Sequence, residues 1–411
     1  MAVEQQIKEC DNQASNEPGL MNVLDRAEKA GAGKAKLEFS MFNYLDRKAR
    51  LRGVPIKGTF ELTPLCNLDC KMCFVHLSVE QLQYSSKRML MGEQWKQIMQ
   101  DAIERGMMYA LLTGGEAMLH PDFNELYLFL REKGVQVTVN TNGLLLTQER
   151  IEFFRNHPPA EVRITLYGAD EETYENVTGH RVHGLVMRNI QAAKAAGLHV
   201  CVGVTPSKYM KGGVEATVRM VRSLGVRYGI NTSLSDPREE TGRSGIEHDM
   251  SMDDYIQMHK QLQAMDGTVV VPVCEEDIPV PGGNVKEPQK GFRCGGGRSA
   301  FAVVWHGKMQ PCLTVGNIQA DLNEMPFDTA WRQVFGAVSA YPVPQECFGC
   351  PYEGFCTVCV ARHATGAPLG HANPALCERA KAFVRSGLAK LRQQTEFGST
   401  KNEKEIFDTQ C

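Results

Sequence analysis

The sequence predicts an α/β protein: a partial (β/α)6 barrel followed by a small cysteine-rich domain. Short β-branched or apolar segments alternate with amphipathic helical segments between residues 56 and 235. A cysteine-rich loop (residues 66–73, the cysteine loop) directly follows the first of these apolar segments, and a second group of cysteines lies near the C-terminus. Strands that alternate with helices form parallel sheets with right-handed crossovers, and the chemistry of such folds lies at the carboxyl ends of the strands.

The composition is that of an ordinary globular protein, with 43% hydrophobic and 23% charged residues. The 411 residues are enough for two domains, or for one large domain with a smaller appendage. A formal net charge of −3 gives no reason to expect nucleic acid or an anionic membrane as a partner. The polar N-terminus is unlike a signal peptide, and no apolar run approaches the ~18 residues of a membrane span, so we expect a cytoplasmic protein. In a reducing cytosol the fourteen cysteines are better explained as ligands than as disulfides.

Residues 1–55 are predicted to form an N-terminal extension, partly disordered, with short helices over 21–30 and 39–51. Residues 56–235 are predicted to form the barrel. Its strands are expected where β-branched and apolar residues cluster: Ile56–Leu62, Tyr109–Thr113, Val135–Asn140, Val162–Tyr167, Leu198–Thr205 and Val226–Thr232. Its helices are expected where apolar residues recur at helical spacing: Gly92–Arg105, Pro121–Lys133, Thr147–Asn156, Leu185–Ala196 and Gly213–Leu224. Eight such units would close a TIM-like barrel, and six leave it partial.

Residues 236–290 are predicted to be a bridging helix and a linker, because Val271–Gly291 is rich in proline and glycine. The polar segment Ser233–Asp253 is expected to lie over the mouth of the barrel.

The cysteine-rich domain is predicted over residues 291–380, with a hairpin over Ala302–Cys312 and a helix over Asp328–Ser339. A closing helix is expected over Pro374–Arg392. Residues 381–411 are predicted to comprise the end of this helix and a polar tail. A region with so few apolar residues between its cysteines needs a metal to fold.

The cysteine loop carries Cys66, Cys70 and Cys73, spaced by three and then two residues. Neither a helix nor a strand would place all three on one face, so the segment must be a tight loop that converges three thiolates. Three cysteines are one fewer than an ordinary iron–sulfur cube or structural zinc site uses. One metal position is therefore open to a ligand that is not protein, unless the loop is a structural zinc site.

This segment resembles the radical S-adenosylmethionine (SAM) superfamily, whose mark is C-x3-C-x2-C after the first strand of a partial barrel. The resemblance implies a 4Fe–4S cluster held by these three cysteines, with the amino and carboxylate groups of SAM on its fourth iron. It also implies that one electron cleaves SAM to methionine and a 5′-deoxyadenosyl radical, which removes a hydrogen atom from the substrate. The protein would orient the cofactor and exclude water. An electron donor such as flavodoxin or ferredoxin would be a partner.

The resemblance also assigns seven residues to SAM binding: Met72, Gly114, Gly115, Glu116, Asn140, Thr165 and Arg181. The Gly-Gly-Glu element would bind the SAM amino group, since glycines let a ligand approach the backbone and a glutamate accepts hydrogen bonds from an ammonium. Asn140 would contact the ribose, Thr165 the ribose or methionine, and Arg181 the SAM carboxylate. Met72 would line the adenine. The alternatives are a simple turn for the glycines, an Asx turn for Asn140 and a solvated surface charge for Arg181.

The C-terminal cysteines are similar to the SPASM extension, which holds two auxiliary 4Fe–4S clusters. Carried over by position, the first auxiliary cluster would take Cys294, Cys312 and Cys359, and the second Cys347, Cys350, Cys356 and Cys377. The last pair is spaced by two residues where the family more often has three, and no cysteine lies just upstream of Cys294. Cys274 is the nearby candidate for the missing ligand; the alternatives are an open or non-cysteine position, or a zinc knuckle.

SPASM-bearing members mostly modify peptides or proteins, so the resemblance implies a peptide substrate that is cross-linked, epimerised or oxidised. Leu313 follows Cys312 where the sulfatase-maturing branch has an aspartate, which argues against that branch. The residues before the first strand are too few for a winged-helix leader-binding domain, so any leader would be read by a separate protein or by the barrel. Two alternatives stay open: dehydrogenation of a sugar or aminocyclitol metabolite, and a non-catalytic iron–sulfur or zinc scaffold or sensor.

Overall fold

The computed structural model describes residues 34–210, 213–231, 234–235, 237–242, 250–266, 294–347, 350–352 and 367–388. The chain divides into two compact units, Met1–Arg52 and Gly53–Cys411. The described part of the first unit is one helix, α1 (Lys34–Arg52), where the sequence predicted helix over 39–51. The helix predicted over 21–30 lies outside the described residues. The sheet and all the other elements belong to the second unit.

The strands of the described residues form one sheet. They are β1 (Lys57–Glu61), β2 (Tyr109–Thr113), β3 (Gln136–Thr141), β4 (Glu161–Leu166), β5 (Val200–Val204), β6 (Arg227–Ile230), β7 (Ala300–Val303), β8 (Lys308–Gln310) and β9 (Ala320–Asp321). Their order across the sheet is β6-β5-β4-β3-β2-β1-β7-β8-β9. Strands β1 to β6 pair in parallel with their neighbours in sequence. The predicted six-stranded parallel core of a partial barrel is confirmed.

Helices connect the parallel strands. They are α2 (Val79–Tyr84), α3 (Gly92–Glu104), α4 (Phe123–Glu132), α5 (Gln148–Asn156), α6 (Glu171–Thr178), α7 (His183–Ala195) and α8 (Val214–Ser223). After the parallel strands come α9 (Met252–Asp266), α10 (Phe327–Ser339) and α11 (Pro374–Arg385). Single 3-10 turns lie at Ala117–Leu119, Lys208–Met210, Glu239–Thr241 and Gln345–Cys347. No described helix is both long enough and apolar enough to cross a membrane.

Two helices, α2 and α6, were not predicted. Helix α2 has no buried residue, so it carries no apolar periodicity that a sequence pattern could reveal. Helix α6 is short but well capped: the Asp170 side chain accepts from the Thr173 N–H at 2.7 Å, and the helix ends at Gly179 with φ +77°.

The closing helix α11 ends at Arg385, and its predicted extension to Arg392 is wrong. Gly387 adopts the left-handed conformation (φ +78°), and its N–H donates to the carbonyl of Val384 at 3.1 Å. A glycine in this conformation turns the chain out of the helix. The residues from 389 onward lie outside the described part of the chain.

The two faces of the sheet differ in burial because successive strand residues point in opposite directions. One face is fully buried beneath helices and includes Phe60, Leu112, Val139, Ile164 and Val202. The other face carries half-buried polar or small residues, among them Thr138, Asn140, Thr165 and Gly203. This second face is the inner surface of the partial barrel.

The C-terminal cysteine region contributes to the same sheet. Strand β7 pairs in parallel with β1, with Gly58 opposite Phe301. Strand β8 then pairs antiparallel with β7, which confirms the hairpin predicted over Ala302–Cys312. The rings of Phe60 and Phe301 meet edge to face at 5.8 Å, so one apolar layer crosses from β1 to β7. The boundaries predicted at residues 235 and 291 stay predictions.

Helices α9 and α11 pack through a cluster of rings. The ring of His259 lies 4.6 Å from that of Tyr255 and 4.7 Å from that of Phe383. His259 is 3% exposed, and its Nε2 has no hydrogen-bond partner among the described residues. Burial, with the nearby Arg379 guanidinium, lowers the pKa of His259 from 6.5 to about 4.

We predict that the packing of α9 on α11 weakens as the pH falls from 6.5 to 4. Above pH 6.5 His259 is neutral in both states and contributes no pH dependence. Below pH 6.5 this histidine is protonated in the unfolded chain but still neutral in the folded one. The free energy of unfolding therefore falls by up to about 3 kcal/mol as the pH decreases. Thermal midpoints of wild type and His259→Phe, measured from about pH 7.5 to about pH 4.5, should diverge in favour of the variant. His180→Phe, at an exposed position, is the control, and parallel curves for wild type and His259→Phe would contradict the prediction.

Candidate active site

The cysteine loop leaves the carboxyl end of β1 and is held by the end of α6. The N–H of Asp69 donates to the Thr178 carbonyl at 3.1 Å, and the N–H of Lys71 donates to the Val177 carbonyl at 3.0 Å. The last carbonyls of a helix have no partner within the helix, so the loop amides satisfy them. The unpredicted helix α6 therefore supports the loop.

Each of the three cysteine sulfurs in the loop accepts a hydrogen bond from a different residue. The bonds are Asn142 Nδ2 to Cys66 at 3.6 Å, the His76 N–H to Cys73 at 3.4 Å, and the Tyr167 phenol to Cys70. Hydrogen bonds to cluster sulfurs set the reduction potential of an iron–sulfur centre. None of the three donors is predicted from the sequence, although Asn142 stands in the Asn-Thr-Asn-Gly segment that contains the predicted ribose contact Asn140, and Tyr167 ends the predicted fourth strand.

The thiols of the loop are partly or fully buried and close enough to affect one another. Burial raises the pKa of Cys66 to about 11, and Cys73 contributes to the shift. The pKa of Cys70, which is 7% exposed, is raised further by burial and by both neighbouring thiols. Cys66 and Cys70 therefore need a bound cation to remain thiolates. The donor set therefore fits an iron–sulfur cluster.

In the described part of the chain, no three Cys, His, Asp or Glu side chains are gathered closely enough to hold a single metal ion. The structural zinc alternative stays a prediction.

The predicted glycine pair packs against the chain that leads into the cysteine loop. A Cβ on Gly114 would lie 2.5 Å from the Thr63 carbonyl oxygen, and one on Gly115 would lie 2.4 Å from that of Leu65. The N–H of Gly115 donates to the Thr63 carbonyl at 2.8 Å. In this structure the glycines are therefore required by contact between two backbones. Their contact with SAM stays a prediction.

Glu116 joins the ends of β2 and β3. Its buried carboxylate accepts from Thr141 Oγ1 at 2.8 Å, from the Asn142 N–H at 2.9 Å and from the Met118 N–H at 3.2 Å. Burial raises the pKa of Glu116, and these hydrogen bonds oppose the shift. The carboxylate already has three protein donors, and its predicted contact with the SAM amino group stays a prediction.

Asn140 and Thr165 lie on the inner face of the sheet, as a ligand in the barrel requires. Asn140 pairs with Arg163 across β3 and β4, two residues before Thr165 on the same face. The Oδ1 of Asn140 is buried and has no hydrogen-bond partner among the described residues. Buried acceptors are nearly always paired in folded proteins. This orphaned oxygen therefore fits a donor on a bound ligand, such as a ribose hydroxyl.

The other two predicted SAM contacts, Arg181 and Met72, differ in their exposure to solvent. Arg181 is 60% exposed and forms an ion pair with Glu175 at 2.8 Å, as the surface alternative expects. Met72 is 6% exposed and belongs to the same apolar cluster as Cys70. The SAM contacts of Arg181 and Met72 stay predictions.

The segments that carry two C-terminal cysteines, Cys294 and Cys312, approach each other. A Cβ built on Gly296 would lie 3.4 Å from the Sγ of Cys294 and 3.3 Å from the carbonyl oxygen of Pro311. Because Pro311 directly precedes Cys312, the structure brings the Cys294 and Cys312 segments together.

A second pair of segments is joined by Glu346. Its carboxylate bonds to His371 Nδ1 at 2.9 Å and accepts from the Ala372 N–H at 3.2 Å. These bonds hold the segment of Cys347 against the start of α11, which carries Cys377. Cys350 follows Cys347 in the same turn, its N–H donating to the Cys347 carbonyl at 3.4 Å. The predicted ligands Cys274, Cys356 and Cys359 lie outside the described residues.

Comparison with known families and proteins agrees with this geometry. Residues 60–210 match the family model described as the radical SAM superfamily. The chain is 24% identical to the antilisterial bacteriocin subtilosin biosynthesis protein AlbA of Bacillus subtilis, over 74% of this chain and 67% of that protein. It is also 24% identical to the AdoMet-dependent heme synthase of Methanosarcina barkeri, over 74% and 90% of the two chains. A PqqA peptide cyclase of Streptomyces rochei is 31% identical over 41% of this chain and 44% of that protein.

The fold is also found in a solved structure. Streptococcus suis SuiB, determined with bound S-adenosylmethionine, superposes with a TM-score of 0.61 at 15% identity. The superposition covers 87% of this chain and 86% of SuiB. At this identity the likeness concerns the fold alone.

We predict that Gly115→Ala prevents the cysteine loop from loading iron, because its Cβ would clash with the Leu65 carbonyl oxygen and move the chain leading into the loop. After anaerobic reconstitution the variant should bind less iron per chain and give a weaker EPR signal of the reduced cluster. Gly336→Ala in α10 is the matched control, since its Cβ would meet nothing within 4 Å. The control should keep its iron and gain about 0.5–1 kcal/mol of stability. Equal iron in both variants would show that the backbone contact is dispensable.

Proposed function

The chain belongs to the radical SAM superfamily, and from this we propose that it is an enzyme that modifies a peptide after removing a hydrogen atom from it. As a member of this family it binds SAM and a 4Fe–4S cluster, which together supply a 5′-deoxyadenosyl radical. The modification would be a cross-link, an epimerisation or an oxidation.

The observation that carries the proposal is the position of the cysteine loop. Its three thiols stand at the carboxyl end of β1, beside the inner face that holds the buried Oδ1 of Asn140, which has no hydrogen-bond partner within the described part of the chain. An open α/β sheet binds ligands at the carboxyl ends of its strands. The loop and the inner face are thus adjacent parts of one site.

The protein residues would hold and orient the cofactors. Cys66, Cys70 and Cys73 would bind the cluster, and the hydrogen bonds from Asn142 and Tyr167 would keep two of those sulfurs in place. Asn140 and Thr165 would contact the ribose and methionine parts of SAM from the inner face. The packed apolar layer behind the sheet would keep water from that side of the site.

The relatives support a peptide as the substrate. One is named for the biosynthesis of the bacteriocin subtilosin and another as a peptide cyclase. We further propose a flavodoxin or ferredoxin as the electron donor and a separate protein that reads any leader sequence.

We also propose two auxiliary 4Fe–4S clusters of the SPASM type. Support for the first is the proximity of Cys294 to the segment of Cys312. Support for the second is the pair of Glu346 bonds that joins the segment of Cys347 and Cys350 to the helix of Cys377. The remaining ligands would be Cys356 for the second cluster and Cys359, with Cys274, for the first.

A small metabolite is the second candidate substrate, and one relative favours it. The heme synthase matches over 90% of its own length. A sugar or aminocyclitol dehydrogenase, the alternative raised by the sequence, belongs to the same class of small-molecule enzymes.

We predict that the reconstituted wild type carries about twelve irons per chain and releases 5′-deoxyadenosine when reduced with SAM. Cys70→Ala should lose about four irons and all 5′-deoxyadenosine formation, because a loop with two thiolates cannot hold the cluster. Cys201→Ala, in the buried part of β5, is the control and should retain both.

Failure of the wild type to form 5′-deoxyadenosine would refute radical SAM activity, and zinc in place of iron would favour the scaffold or sensor alternative. Co-expression of the enzyme with a short peptide encoded beside its gene distinguishes a peptide substrate from a metabolite substrate. Mass spectrometry should then show a peptide that has lost hydrogen or, for an epimerisation carried out in D2O, one that has gained deuterium. A peptide unchanged in both respects beside an oxidised sugar would favour the metabolite enzyme.

A further inference from the structure

A buried ion pair stands at the carboxyl end of β1. Arg238 Nη1 lies 2.6 Å from Glu61 Oε1, and Nη2 lies 2.9 Å from Oε2, so the pair is bidentate. The side chain of Glu61 is 1% exposed and that of Arg238 is 15% exposed. Glu61 is the last residue of β1, and Arg238 belongs to the described stretch 237–242 that follows β6 (the 237–242 segment).

Arg238 also contacts the residues that follow two predicted cluster ligands. The backbone N–H of Arg238 donates to the Phe74 carbonyl at 3.1 Å. Its guanidinium carbon lies 5.3 Å from the centre of the Phe74 ring. Its Nη2 donates to the Leu313 carbonyl at 3.1 Å. Phe74 directly follows Cys73, and Leu313 directly follows Cys312. One guanidinium thus joins the cysteine loop to the Cys312 segment.

Glu61 extends the same network to the β7–β8 hairpin. Besides Arg238, its carboxylate accepts from the backbone N–H of Trp305 in the hairpin turn. Trp305 is fully buried, and its carbonyl accepts from the Leu90 N–H at 2.9 Å. The Glu61 carboxylate is therefore bound by two parts of the chain that flank the Cys312 segment and the mouth of the barrel.

The 237–242 segment has anchors that do not depend on the guanidinium. Lys87 and Glu240 form an ion pair at 3.2 Å, and Gln81 Nε2 donates to the Thr241 carbonyl at 3.0 Å. A change at the Arg238 side chain should consequently leave the segment in place and affect mainly the loops that the guanidinium joins.

A buried ion pair is a poor source of stability, because removing two charges from water costs about as much as their attraction returns. Its bidentate geometry is specific, however, since a planar guanidinium meets a carboxylate in few orientations. We propose that Arg238 is a positioning residue that fixes the Cys312 segment relative to the cysteine loop. Resting on the proposed function, this spacing would set where a substrate lies relative to the radical, a placement that hydrogen abstraction requires.

The test compares Arg238→Lys with the double variant Glu61→Leu/Arg238→Met. The lysine keeps the charge but cannot bond to Glu61 and Leu313 in the same way. The double variant removes both charges, so it avoids the unpaired buried carboxylate that would threaten folding. Arg219→Gln, which removes an exposed ion pair with Glu215 on α8, is the matched control.

Hydrogen–deuterium exchange on the reconstituted full-length chain gives a result that does not depend on activity. Peptides covering 74–77 and 312–316 should exchange about tenfold faster in the double variant, while α3 stays protected. Arg238→Lys should lie between the double variant and wild type, and Arg219→Gln should match wild type. Unchanged exchange in both peptides of a folded double variant would overturn the proposal.

The second measurement is the ratio of 5′-deoxyadenosine to modified substrate. The proposal expects this ratio to rise in both Arg238 variants with little change in the KM for SAM, because SAM is still cleaved but the substrate is misplaced. A ratio equal to that of wild type would also count against Arg238. If wild type itself forms no 5′-deoxyadenosine, the proposed function fails, whereas the exchange result still decides the role of Arg238.

Discussion

The cysteine loop has no regular secondary structure, so its shape depends on backbone hydrogen bonds to its neighbours. On one side the chain entering the loop lies directly against Gly114 and Gly115, where no side chain fits between the two backbones. On the other side the loop amides satisfy the last carbonyls of α6. These contacts bring three thiols together although burial and mutual repulsion raise the pKa values of Cys66 and Cys70. A bound cationic centre would relieve that repulsion, which is why metal loading and loop order should depend on each other.

The two faces of the sheet separate support from binding. The fully buried face packs beneath the helices and holds the strand ends in place, while the inner face presents half-buried polar groups. Glu116 and Asn140 illustrate the difference. The carboxylate of Glu116 is occupied by three protein donors, whereas the Oδ1 of Asn140 is buried without one among the described residues. A ligand in the barrel could donate a hydrogen bond to the Oδ1 of Asn140, and no existing hydrogen bond within the protein would have to be broken.

The two groups of cysteines belong to one structural framework. Strand β7 extends the parallel sheet beside β1, and Phe60 and Phe301 pack together across that junction. The Glu61–Arg238 pair then links the end of β1 to the residues that follow Cys73 and Cys312. A movement of the β7–β8 hairpin would consequently displace the residues next to the cysteine loop. The β7–β8 hairpin, which leads into the Cys312 segment, extends the sheet that begins with the parallel strands.

The sequence by itself determined the order of the six parallel strands, the cysteine loop at the end of the first one and the Asn-Thr-Asn-Gly segment at the end of the third. These features depend on local patterns: β-branched runs, helical spacing and close cysteine spacing. It did not reveal α2 and α6, which span only six and eight residues, and it extended α11 beyond the glycine that ends it. Only the tertiary structure decided that Arg181 lies on the surface, that Glu116 is bound by protein donors, and that Arg238 meets Glu61 across 177 residues of chain. Such pairings depend on which strands lie side by side and on which charged groups are buried, because a buried charge is stable only beside a partner. Neither property can be predicted from a pattern within a short stretch of sequence.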